Sequence, residues 1–223
     1  MRRLLAPFLH NSISAALRDF SCHLVQRIIE ERHTGKLVYA GGDDILALLP
    51  KEEVIPAAIE LRLLYSGLPV EKFIGPDFLK SHSGFVRLTE TSELFRVMGE
   101  KATLSTGVSL VHHSHSLTDA IEKARAMMKM AKALVCENGE RKNALFVSST
   151  RRSGEAQIVG TPWFANGDVS ASPVFTVMEF ARAFGVDGLE EARVELPPAV
   201  DPLAGRAGLR RRRHPPWLVK RLP

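Results

Sequence analysis

The sequence predicts an α+β fold, and three observations carry that prediction. Two short apolar runs at residues 36–40 and 45–49 flank Gly41-Gly42, the signature of a tight β-hairpin. Apolar residues recur at helical spacing over about residues 12–31, 52–65 and 116–135. Val-, Thr- and Leu-rich segments at about 102–112 and 143–148 read as further strands.

Each element has a local cause. In the first helix Ile13, Leu17, Phe20, Leu24 and Ile28 form the apolar stripe, beside Ala16 and Val25, and Asn11 or Ser12 can cap it. In the hairpin Gly41 and Gly42 suit a type I′ turn, which needs positive φ at both central residues. Pro56 falls near the first turn of the second helix, where a missing N–H does least harm. Residues 67–100, mixed in Gly, Pro and polar residues, read as an excursion with one short helix near 92–98. The third helix has Ser116 as cap and Leu117, Ala120, Ile121, Ala124, Met127, Met128 and Ala131 on its apolar face. The order is helix, strand, strand, helix, strand, helix, strand. That is most of a ferredoxin-like βαββαβ palm lacking its first, central strand, which residues 1–9 do not supply. The expected organisation is a palm domain over 1–150. Residues 151–223 are expected to be a remnant of a following region, with a possible helix at 174–184, and a basic, disordered tail.

Composition narrows the class. With 45% hydrophobic and 25% charged residues in 223, the chain can build one good core. No apolar run approaches the ~20 residues that a membrane span needs, so no membrane partner is expected. Cys22 and Cys136 form no metal or disulfide spacing and suit a reducing cytoplasm. Seven positive charges follow Asp201 with no acidic residue among them; taking them from the net +5 leaves the rest at −2. The basic character belongs to the tail. Its Arg210–Arg213 run reads either as a contact for RNA phosphates or as an untidy terminus.

Asp43 and Asp44 carry the chemistry. Two carboxylates beside apolar strands call for a partner, and the usual one is a divalent cation. The plain alternative is a hairpin with both Asp residues solvated at its tip. His112, His113 and His115 could bind a transition metal, but no Cys or carboxylate lies at helpful spacing; a structural or nucleotide-edge role is the better reading.

Three segments carry a resemblance. Residues 7–20 (Pro-Phe-Leu-His-Asn-Ser-Ile through Asp-Phe), 36–50 (Lys-Leu-Val-Tyr-Ala-Gly-Gly-Asp-Asp-Ile through Pro) and 102–113 (Ala-Thr-Leu-Ser-Thr-Gly-Val-Ser-Leu-Val-His-His) resemble the second palm domain of the large subunit of type III CRISPR–Cas effector complexes. The closest flavour is the Cmr (III-B) type. Residues 117–132 and Arg152-Ser-Gly-Glu155 fit the same picture, so the likeness covers roughly residues 7–163. That family is related to GGDEF diguanylate cyclases. The resemblance implies a GGDEF-like nucleotide cyclase fold, antiviral defence, and metal-dependent conversion of ATP into cyclic oligoadenylate with Mg2+ or Mn2+. Asp43 and Asp44 would be the catalytic, metal-binding carboxylates. Gly41 and Gly42 would leave room for the nucleotide, and Lys132 would contact the triphosphate. The implied partners are the other subunits of the ribonucleoprotein and, through them, crRNA and target RNA.

The first-strand metal ligand of the family has no counterpart here, which leaves open whether the chain is an enzyme by itself. The expectation is a fragment of the full subunit, or the remnant of an interrupted gene, poorly folded and inactive alone. The alternatives are a diguanylate cyclase-like protein using GTP and a non-catalytic nucleotide-binding or assembly module.

Overall fold

The structure, a computed structural model, describes residues 7–68, 79–82, 84–135, 139, 141–151, 154–164, 172–176 and 178. The chain divides into two units, residues 1–104 and 105–223.

In the first unit, α1 (Pro7–Asp19) runs without a break into two π-helical stretches, Phe20–Leu24 and Arg27–Arg32. Helix therefore begins before the cap expected at Asn11 or Ser12. The buried stripe Phe20, Leu24, Val25, Ile28 and Ile29 falls on the π-helical part. Strands β1 (Lys36–Gly41) and β2 (Asp44–Leu48) follow as an antiparallel hairpin, and β1 packs on the π-helical stretches. Helix α2 (Val54–Ser66) is buried along Ala57–Ser66 on every face, Glu60 and Arg62 included. Such a helix needs polar partners inside the core. Glu60 has Arg32 and His33, and Arg62 Nη1 donates to Ser66 Oγ, which donates to Ala102 O at 2.8 Å.

The excursion after α2 is a small antiparallel sheet: β3 (Leu79–His82), β4 (Phe85–Leu88) and β5 (Leu94–Arg96). The short helix expected near 92–98 is absent; β5 occupies that stretch instead. Its residues pair with β4, Val86 opposite Phe95, and cross-strand pairing of this kind overrides weak local preference.

In the second unit, β6 (Thr106–Leu110) and β7 (Ala144–Thr150) are parallel and joined by α3 (Leu117–Ala133), the crossover that parallel strands require. Strand β8 (Ala156–Pro162) returns antiparallel to β7. It lies beyond residue 150, where the sequence leaves only a remnant. Most of the helix expected at 174–184, and the whole arginine-rich tail, lie outside the described residues.

β6 has one hydrogen-bonded neighbour, and no described strand ladders it to the β1–β2 hairpin. The expected central strand is thus absent among the described residues, while the mixed α/β elements agree with a palm. The α3 backbone sits directly on β6. A Cβ at Gly107 would collide with the backbone N of Met128 and O of Ala124. Neither can swing aside as a side chain could. Gly107→Ala should therefore lower stability by about 2 kcal/mol, read by denaturant unfolding.

Candidate functional site

The hairpin tip gathers four of the sequence-predicted site residues. The ladder runs from Lys36↔Leu48 to Gly41↔Asp44, with an irregularity between Leu37 and Tyr39. Gly41 is thus the last paired residue of β1, and the two-residue turn is Gly42-Asp43. The expected turn, Gly41-Gly42 with positive φ at both centres, is corrected on both counts. Only Gly42 of the central pair has positive φ, at 66°, the sign pattern of a type II′ turn.

This register fixes where the carboxylates stand. Asp44 lies directly across from Gly41, so the two share a face, with Tyr39 two residues earlier on the same face. Asp43 sits at the turn itself. Both carboxylates are exposed, so the burial expected to force pairing does not occur. What remains is their adjacency at an exposed turn.

Two residues that bear on the tip were missed in the sequence, and they are the only tyrosines of the chain. The Tyr39 ring folds back along its strand, and a Cβ at Gly41 would collide with its hydroxyl. Strand alternation places residue 39 on Gly41's face, so that signal was available. Tyr65, at the end of α2, is buried and meets Phe20 edge-on at 5.0 Å. Burial raises the Tyr65 hydroxyl pKa, and the nearby Asp43 charge raises it further against an opposing effect of Arg62. The phenol stays protonated. No local pattern tells that Tyr65, at the end of α2, feels the Asp43 charge.

Lys132 lies in the last turn of α3, exposed, in the second unit. In the histidine cluster, the His112 and His113 rings lie 4.1 Å apart and His112 Nδ1 is 2.8 Å from Ser114 Oγ. Among the described residues, no group of three or more His, Cys, Asp or Glu is arranged to hold a metal. The two carboxylates of the tip still suit one particular class of cation. Mg2+ keeps several waters and is bound through one or two carboxylates plus substrate phosphates, not by an all-protein cage.

Behind the hairpin lies an ionic cluster. Arg32 Nε and Nη2 donate to the two Glu60 oxygens at 2.8 and 3.0 Å, a bidentate pair. His33 Nδ1 lies 2.5 Å from Glu53 and its Nε2 3.3 Å from Glu60. The Glu60 carboxylate, helped by Glu53 and opposed by burial, raises the His33 pKa above its usual 6.5. Burial pushes the Glu60 carboxyl up, but His33 and Arg32 outweigh it and hold it below the usual 4.5.

The chain matches the family model for Cas10/Cmr2, second palm domain, over residues 6–146. It is 32% identical over 157 residues to the CRISPR system Cmr subunit Cmr2 of Pyrococcus furiosus, covering 70% of this chain and 15% of that protein. To the CRISPR system CMR subunit Cmr2 of Saccharolobus solfataricus it is 30% identical over 148 residues, covering 64% and 13%. A chain of the type III-B Cmr-beta cryo-EM structure of the apo state shares the fold. Its TM-score is 0.59 at 22% identity, over 87% of this chain and 19% of that one. The present chain spans a small part of each relative's length.

Proposed function

From the premise that this chain belongs to the Cas10/Cmr2 second-palm family, we propose that it is the palm of a type III-B CRISPR effector large subunit, working with that complex's other subunits in the cytoplasm. Its chemistry is metal-dependent cyclisation of ATP into oligoadenylate. The observation that supports this reading is the tip itself, with Asp43 in the turn and Asp44 paired across from Gly41.

Asp43 and Asp44 are the residues that would hold Mg2+ or Mn2+. Bound there, the ion would lower the pKa of a ribose hydroxyl and neutralise charge on the pyrophosphate leaving group. Gly42 keeps the turn narrow and, like Gly41, presents backbone without a side chain. The buried Tyr65 phenol feels the Asp43 charge and stays neutral, so it adds no further negative charge to those surroundings. Lys132 is the residue that the family resemblance assigns to the triphosphate oxygens, as a point charge on a flexible stem.

The test is product formation. The chain, alone and reconstituted with the other Cmr subunits and a target RNA, is incubated with Mn2+ and either ATP or GTP, and products are separated by chromatography and mass. Cyclic oligoadenylate supports the reading. A GMP dinucleotide product, or none under any condition, overturns it.

Lys132→Ala supplies a second expectation. An exposed helix lysine contributes little to folding, so the melting midpoint should correspond to a change within about 0.5 kcal/mol. ATP use should fall all the same. A large loss of stability with unchanged nucleotide affinity would mark Lys132 as structural.

A further inference from the structure

Tyr39 stands at the tip with no part in the chemistry above. Tyr39 is 56% exposed, beside Val38 at 54%, and the two consecutive residues stand at the ladder irregularity between Leu37 and Tyr39. Bulges of this kind re-aim a side chain and occur beside active sites.

We propose that Tyr39 is the platform on which the purine base of the bound nucleotide stacks, an inference that rests on the metal–nucleotide reading of the tip. Three features carry it. Tyr39 shares a face with Gly41 and Asp44, so a ligand reaching Asp44 from that side passes along the same strip of hairpin. Residues two apart on a strand are separated by about 7 Å, of the order of the span from a nucleotide's inner phosphates to its base. An exposed aromatic face beside a phosphate site is what nucleobases stack on, whichever the base.

The glycine completes the arrangement. The Tyr39 hydroxyl now rests over Gly41, where a Cβ would collide with it. A ligand approaching that backbone displaces the ring, which is then free to lie against the base. Gly41 thus serves two states, a resting place for the phenol and an open approach for the nucleotide. Stacking on a phenol does not separate adenine from guanine, so base choice falls to other groups.

The experiment measures binding to the full 223-residue chain by calorimetry with three probes: Mn2+ alone, Mn–ATP, and Mn–tripolyphosphate, which has no base. Tyr39→Ala should weaken Mn–ATP about tenfold and leave Mn–tripolyphosphate unchanged. Tyr39→Phe, which keeps the ring, should stay within about twofold of wild type for both. Tyr39→Ala that spares Mn–ATP, tightens it, or weakens both polyphosphates equally overturns the stacking role but leaves the metal reading intact. Mn2+ binding that survives Asp43→Ala/Asp44→Ala, or a wild-type chain that binds no Mn–ATP, overturns the metal reading and the platform with it.

Discussion

Asp43→Ala/Asp44→Ala should abolish Mn2+ binding at the hairpin tip and cut ATP turnover by on the order of a thousandfold, with the fold intact. The two effects separate because of where the carboxylates stand. Both are exposed, Asp43 in the turn and Asp44 at the first position of β2, and neither fills space in the core. Exposed substitutions away from caps and packed groups usually change stability by no more than about 0.5 kcal/mol. Removing adjacent like charges even relieves some repulsion. A metal bound through few protein ligands depends on each of them, so the double variant leaves no carboxylate at the tip to hold it. Turnover assays paired with thermal melts read both arms. Undiminished turnover in the double variant would remove these residues from the chemistry.

Glu60→Ala should have the opposite profile, with a stability loss of about 3–5 kcal/mol and no contact with the proposed nucleotide site. Glu60 is 4% exposed on a helix buried on every face, and its two oxygens receive the Arg32 guanidinium. Truncation takes that carboxylate from Arg32 and from His33 while both stay in the interior. The same cluster gives a pH signature. His33 has a raised folded pKa, so its contribution is complete below its usual 6.5 and is lost as pH rises through the raised value. Glu60 has a lowered folded pKa, so its contribution is present above its usual 4.5 and is lost as pH falls through the lowered value. Wild-type melting should therefore favour the window between those two ordinary values, and Glu60→Gln should flatten the acid side. An unchanged acid limb in Glu60→Gln would show that Glu60 does not set it.

Much of the fold was legible because several signals agreed at once. Helix α3 has a cap whose Ser116 Oγ accepts from Asp119 N at 3.4 Å, and the apolar period places Met127 and Ala131 in the core. The hairpin was legible from its glycines, but its register was not. The two-residue Gly42-Asp43 turn sets Gly41 opposite Asp44, and the irregularity between Leu37 and Tyr39 shifts the pairing of the residues before it; nothing in a run of Leu, Val, Tyr and Ala announces it. Strand β5 was misread because Leu94 and Phe95 sit among polar residues and gain their structure from Arg87 and Val86 across the ladder. The π-helical widening left no local mark either. It shows in the i→i+5 backbone bonds, such as His33 N to Ile28 O, and in packing, with Phe20 against Tyr65 and Arg32 against Glu60. In the site, the carboxylate pair was legible as a motif, whereas the effect of the Asp43 charge on Tyr65 joins residues far apart in sequence.

The seclusion of α2 and the openness of the hairpin tip put the two under different selection. Ten consecutive residues, Ala57–Ser66, are closed to solvent, so a change almost anywhere along them registers in folding. Under the proposed function, a change at the exposed Asp43 and Asp44 registers only in chemistry. On that reading a lineage can lose the proposed reaction in two substitutions and inherit the scaffold unharmed. Descendants with a silent tip and an intact α2 are the expected trace of that drift, and amide exchange would show them as well protected through α2 as the catalytic parent.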